Sequence, residues 1–369
     1  MSGQRVNNLD VLRLIAAGMV VLGHSYILVG EVPHALLGHS VSTLAVLVFF
    51  ALSGYLIARS WMNDPHPLRF ALRRARRIWP ALILVVLATV LVIGPLLTPL
   101  SFWQYITHAQ TFRYLGNIVF YAAYALPLVF ANHPLPHAVN GSLWTLPVEV
   151  AMYALAPLLV WLGLRRPLLL LYAGLAVGLY LTAMLLRPRE FVVLGTPFWA
   201  AATLAVFFVV GTAIAVLRME RRLDWRAGAA MLLGLEYLPL PFWAQQGLLT
   251  LVLPYAVLAI GLCAWRIPVA ISRMGDPSYG IYLWSFPVQQ IVIQLIGTQG
   301  GGAVNFALAM PISLALGLLS WHLLEKRVLG RGGAQRAARG TRQPSSSPAA
   351  WSAPAPPGAQ EGGSETGAR

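Results

Sequence analysis

The chain has 369 residues, of which 58% are hydrophobic and 10% charged, with a mean hydropathy of +0.68. Soluble domains carry about 25% charged residues, so two or three soluble domains are excluded. The single cysteine, Cys263, sits in an apolar run and excludes a disulfide scaffold or a small zinc module. The net charge of +14 would suit a nucleic-acid partner, but its placement along the chain points away from one.

Ten apolar runs are long enough to cross about 30 Å of hydrocarbon. In chain order they cover residues 9–29, 41–61, 78–98, 143–163, 168–186, 198–217, 227–243, 247–265, 279–296 and 303–324. The first is retained rather than cleaved as a signal peptide, because Asp10 and Arg13 interrupt its start. The seventh is the weakest, with Glu236 inside it and Pro239 and Pro241 near its end. A further stretch, residues 118–131, is short and contains Pro127; it reads as re-entrant or interfacial. Residues 330–369 turn to Gly, Ala, Pro, Ser and Arg and lack the apolar content for a core. The expected architecture is an all-α, polytopic transmembrane bundle over residues 1–329, followed by a disordered basic tail over 330–369.

With the N-terminus in the cytoplasm, 22 of the 26 basic residues fall on cytoplasmic segments and helix ends. The exceptions are Arg113, Arg187 and Arg189 in outer loops, and Arg13 within the first span. That asymmetry follows the positive-inside rule and places both termini in the cytoplasm. One Lys against 25 Arg fits the codon usage of a GC-rich bacterial genome, so a multi-pass protein of a bacterial cytoplasmic membrane is expected.

Charged groups inside spans cost about 2.5–3.5 kcal/mol each on insertion scales and need a partner or a task. Arg13 and His24 are eleven residues apart in the first span, three helical turns plus about 20°, so they share one face with a rise of roughly 16 Å between them. His24 is either an imidazole satisfied by a neighbouring helix or a functional group, and Arg13 by itself would snorkel. The run PLRFALRRARRIWP crowds Arg73, Arg74, Arg76 and Arg77 at the entrance to the third span. It serves either as a topology signal or as a site for a polyanion, since guanidinium forks bind phosphate bidentately. In the segment GSLWTLPVE, Glu149 lies about 9 Å deep and His24 about 8 Å deep on the same side by helix arithmetic, so the two are placed to meet. A neutral Glu149, or one capped by local backbone, is the alternative.

Several of these runs resemble the acyltransferase 3 family of integral membrane acyltransferases. NNLDVLRLIAAGMVVLGH (residues 7–24) is similar to its first-helix signature, and VFFALSGYLI (48–57) to its second-helix motif. RARRIWP (74–80), SLWTLPVE (142–149), GDPSYGIYLWSFP (275–287) and LEKR (324–327) resemble its later motifs in the same order. The resemblance implies transfer of an acyl group, commonly acetyl, from acyl-CoA to a hydroxyl of a sugar, glycolipid, polysaccharide or small natural product. It implies His24 as catalytic base, Arg13 as its helix partner and Glu149 as an aid to the base or the acceptor. Arg73, Arg74, Arg77 and Ser53 become contacts for the acyl donor.

Acyl-CoA is then a donor substrate with no permanently bound cofactor, and the partners are a hydroxyl-bearing sugar or glycolipid and the bilayer, with no nucleic acid. No metal site is expected, because His133 and His137 lack a third ligand. The family often has a histidine where this chain has Ser285, whose hydroxyl is expected to bond within its own helix. Its usual terminal proline is absent after Arg327, and Glu325 is expected to pair with nearby basic groups. A carrier or flippase for a sugar-containing lipid, with the buried His and Arg lining a path, is the rival reading.

Overall fold

The computed structural model describes residues 8–165, 172, 175–180, 191–263 and 275–329. Most of the expected fifth span and the whole tail from residue 330 lie outside the described residues. Among the described residues nine principal helices follow in order. They are α1 (Asn8–Leu28), α2 (Val41–Asn63), α3 (Pro67–Ala88), α4 (Leu146–Gly163), α5 (Phe198–Val216), α6 (Trp225–Tyr237), α7 (Phe242–Leu262), α8 (Ser278–Ile296) and α9 (Gly301–Ser320). Two small antiparallel hairpins precede α2 and α5: β1 (Ala35–Leu36) with β2 (His39–Ser40), and β3 (Val192–Val193) with β4 (Thr196–Pro197).

Seven of the helices are long and apolar enough to cross a bilayer: α1, α2, α3, α4, α5, α7 and α9. The protein is therefore a helical, multi-pass membrane protein. The seventh expected span is realised as α6, only 13 residues long, because Pro239 and Pro241 end it early. The ninth, α8, carries Gln289, Gln290 and Gln294, whose amides depress its hydropathy.

Boundaries differ instructively at α3. The apolar run begins at Ile78, but the helix begins eleven residues earlier at Pro67, capped by His66, whose side chain accepts from the Arg69 amide. Arg69 to Arg77 therefore ride on the helix rather than in a loop before it. At its far end α3 runs through a π turn (Thr89–Ile93) to Leu97. There the Val90 carbonyl accepts from the buried Tyr105 hydroxyl at 2.9 Å.

Residues 118–131 form no long helix. Asn117 satisfies this stretch by bonding the Tyr114 and Ala123 carbonyls and the Ala123 amide at 2.7–3.1 Å. Trp79, halfway along α3, donates to the Ile118 carbonyl at 2.9 Å, so the segment folds back against the bundle. Irregular backbone is tolerated in such surroundings only when its polar groups are met by protein.

Close helix approaches rest on glycine. α2 and α5 run parallel, and a Cβ at Gly54 would lie 2.0 Å from the Phe208 carbonyl oxygen, one at Gly211 2.2 Å from that of Ala51. Thr212 completes the joint by donating to the Gly54 carbonyl at 3.1 Å. Without water to drive association, this backbone contact is what holds helices together in lipid. The bundle thereby acquires two distinct ends. The start of α1, the start of α3 and the start of α8 share one, rich in arginine; the two hairpins occupy the other.

Candidate functional site

At the arginine end, Asp276 is the hub. It stands just before α8 and its Oδ2 accepts from Arg13 at 2.6 Å and from Arg77. Burial opposes its ionisation, but Arg13 and Arg77, helped by two bonds from Ser278, hold its carboxyl well below the usual carboxylate range. Arg77 has a second carboxylate, the fully buried Glu325, at 3.7 Å, and its guanidinium lies over the Trp321 ring at 5.6 Å. The expected pairing of Glu325 with a basic side chain is thus present.

The arginines of α3 have unequal partners. Arg73 bonds Asp64 at 2.5 Å and Arg69 bonds the same carboxylate at 2.7 Å, in the connector between α2 and α3. Arg74 makes no hydrogen bond or ion pair among the described residues, and its Nε is buried without a partner. Its guanidinium carbon lies 6.0 Å from the rings of both Phe70 and Tyr153. Of the three arginines assigned to the donor from the sequence, Arg74 is the one whose fork is not committed to a carboxylate. Ser53, beside Gly54 on α2, is half-buried and its hydroxyl has no hydrogen bond among the described residues.

Glu149 sits in the first turn of α4 and accepts a hydrogen bond from Tyr153 one turn on. The ring of Tyr153 in turn lies 6.0 Å from the Arg74 guanidinium carbon. Glu149 is thus linked through Tyr153 to the arginine cluster. Helix arithmetic set it level with His24, but the groups that surround the two residues are different.

His24 lies near the far end of α1, half-buried, with its ring edge against Phe286 of α8 at a centroid distance of 5.3 Å. Its Nδ1 is buried and has no hydrogen-bond partner among the described residues. The helical turn that carries it is clamped. Gln289 of α8, fully buried, donates to the Val21 carbonyl at 2.7 Å and to Ser25 Oγ at 2.6 Å. Asn305 of α9 donates in turn to the Gln289 carbonyl at 3.1 Å. The imidazole is thus fixed through its backbone while its own nitrogen is left without a bond.

The GSLWT segment is bolted to α8 as well. Asn140 accepts from the Ser142 amide and donates to the Leu283 carbonyl, at 3.1 and 2.9 Å. The Tyr282 hydroxyl lies 2.8 Å from the Ser142 carbonyl and 2.7 Å from Thr145 Oγ1. Ser285 donates to the Tyr282 carbonyl of its own helix at 3.5 Å, as expected from the sequence. His133 is held between Gln290 and Gln294 at 2.7 and 2.9 Å. Among the described residues no group of three His, Cys, Asp or Glu side chains is placed to hold a metal.

Asp276, Gln289, Tyr153 and Tyr282 were not singled out from the sequence. Asp276 and Tyr282 lie in the GDPSYGIYLWSFP run, and an amide such as Gln289 inside an apolar span is itself a signal. Their partners are 137 to 268 residues away or one helical turn away, which no local pattern shows.

The described helices thus form a membrane bundle with a cluster of arginines at one end and, further along α1, a histidine whose Nδ1 is unbonded. Residues 6–322 match the sequence profile described as an acyltransferase domain, and the chain belongs to the acyltransferase 3 family. It is 29% identical over 334 residues to an O-acetyl transferase of Shigella phage Sf6, covering 88% of this chain and 96% of that one. It is 25% identical over 359 residues to nodulation protein 10 of Rhizobium leguminosarum bv. viciae, covering 88% and 93%. No solved structure matches. The chain is accordingly an O-acyltransferase built from membrane-spanning helices.

Proposed function

We propose that the protein moves an acetyl group from acetyl-CoA to a hydroxyl of a sugar or glycolipid, at the cytoplasmic membrane of a bacterium, with His24 as general base. The observation that carries this reading is His24, borne on a helical turn clamped by Gln289 while its Nδ1 is unbonded. A sugar hydroxyl is a weak nucleophile until its proton is taken, and a positioned imidazole does this near neutral pH.

The donor's phosphates are too highly charged to enter hydrocarbon, so they stop at the arginine end. Arg74 receives them with its uncommitted fork, assisted by Arg73 at the rim, and Ser53 borders the path of the pantetheine arm. Arg77 and Arg13 are locked by Asp276 and shape the mouth rather than grip the ligand. Glu149, by accepting from Tyr153, positions the ring over which the Arg74 guanidinium lies. The thioester carbonyl then lies toward His24, roughly 16 Å along α1 from Arg13.

In the reaction, His24 takes the acceptor's hydroxyl proton as the oxygen attacks the thioester carbonyl. The C–S bond breaks, an ester C–O bond remains, and the leaving CoA thiolate takes the proton from the imidazolium. Purified protein in vesicles, given labelled acetyl-CoA and extracted surface glycans, tests this: label is expected in an ester with equimolar free CoA thiol. A sugar translocated with no acetyl-CoA consumed would establish a carrier instead.

A further inference from the structure

The hairpin end contains a cavity of about 610 Å³, between the starts of α2, α5 and α7 and the GSLWT segment. We infer that this cavity is the acceptor subsite and that it takes a pyranose ring presented from the side opposite the arginine mouth. The inference rests on the acyl-transfer reading above and adds the location and chemistry of its second substrate.

Three observations carry it. The volume lies within the range of about 300–1,000 Å³ typical of small-ligand sites. The lining includes the aromatic residues Trp144, Trp199 and Tyr124. An aromatic face is the negative side of a quadrupole and suits the C–H face of a pyranose.

The polar lining provides the second observation. Tyr124 donates to the Gly195 carbonyl at 2.6 Å, and Thr203 to the Trp199 carbonyl at 2.9 Å. Thr250 donates to the Gly247 carbonyl at 2.7 Å. With their protons used within the fold, the hydroxyls of these lining residues keep oxygen lone pairs as acceptors, which is what the O–H groups of a sugar require. On a further wall His39 and Gln246 are joined at 2.5 Å, and Gln246 also donates to the Leu37 carbonyl at 3.1 Å, so this polar pair is held in place.

The third observation is that the cavity lining and His24 have common neighbours. Gly141 lines the cavity, a Cβ there would lie 2.6 Å from the Phe286 ring, and that ring packs edge-on against His24. On the α1 side, a Cβ at Gly23 would lie 2.6 Å from Ser42, whose hydroxyl is 3.1 Å from that of Ser40 in the cavity lining. Gly141 and the Phe286 ring thus stand between the cavity and the base, and an acceptor seated in the cavity approaches His24 from the end opposite the donor.

The full chain in lipid nanodiscs tests this by ligand-observed NMR with the methyl glycosides of glucose, galactose, mannose and N-acetylglucosamine, and with acetyl-CoA in parallel samples. At least one glycoside is expected to bind saturably. Trp199→Ala should weaken it tenfold or more while acetyl-CoA binding stays within twofold. Thr203→Val, nearly isosteric, should weaken it about threefold and keeps the test decisive if Trp199→Ala fails to fold. Glycoside binding that is absent, or unmoved by both variants, would overturn the subsite even with acetyl-CoA bound normally. Loss of acetyl-CoA binding in the parent protein would instead contradict the acyl-transfer reading.

Discussion

Gln289 donates its side-chain amide to the carbonyl of Val21, 2.7 Å away across the α1–α8 interface, within the turn that carries His24. A fully buried amide in an apolar helix persists where a bond of this kind repays its desolvation. Gln289→Leu keeps the volume and removes the bond, worth about 1 kcal/mol. Transfer kcat is expected to fall about five- to tenfold with KM for acetyl-CoA within twofold. Equal changes in both constants would show that Gln289 does not act through His24.

Arg74 and Arg77 are neighbours on one helix face with opposite commitments, and their alanine variants should part accordingly. Arg74→Ala removes no bonded partner, so melting temperature is expected to hold while KM for acetyl-CoA rises tenfold or more. Arg77→Ala leaves the buried Glu325 without its guanidinium and takes from Asp276 one of its two arginine partners, and breaking such a buried pair costs about 3–5 kcal/mol. Thermal melting in nanodiscs beside donor titrations distinguishes the two.

The α2–α5 joint has no room for a side chain at Gly54. Gly54→Ala is expected to force the helices apart and to cost about 1–3 kcal/mol, read as a lowered melting temperature. An unchanged melting temperature would mean that the joint opens freely.

In the α2–α3 connector, hydrogen bonds from Arg69, opposed by desolvation and reinforced by Arg73, hold the Asp64 carboxyl down at about 2. The folded value lies below the unfolded one of about 3.9, so the contribution is complete above that pH and is lost as pH falls through about 2. Amide exchange in residues 63–69 should be flat from pH 8 to 4, after correction for intrinsic rates, and rise below that. Asp64→Asn should abolish the rise.

Much of this molecule is legible in its composition and order. The apolar runs mark α1, α2, α4, α5, α7 and α9 within a few residues, because each must satisfy its backbone inside hydrocarbon. The start of α3 escaped the pattern, since arginine-rich residues are good helix formers yet not apolar. His24 and the α3 arginines stood out as costly groups in or beside spans. What they bond to did not, for Asp276 is 263 residues from Arg13 and 199 from Arg77. Glu149 shows the limit of counting along one helix. Depth by residue number set it level with His24, but counting could not show that its hydrogen-bond partner is Tyr153, whose ring lies 6.0 Å from the Arg74 guanidinium carbon.

The central claim is that His24 removes the acceptor's proton. The most direct measurement is single-turnover transfer of labelled acetyl from acetyl-CoA by the parent protein and by His24→Ala, in nanodiscs, with extracted surface glycans as acceptor and donor affinity measured alongside. A general base is worth about 10²–10⁴-fold, so transfer is expected to fall by at least a hundredfold with acetyl-CoA affinity unchanged within twofold. Transfer retained within tenfold in the folded, donor-binding variant would contradict the account.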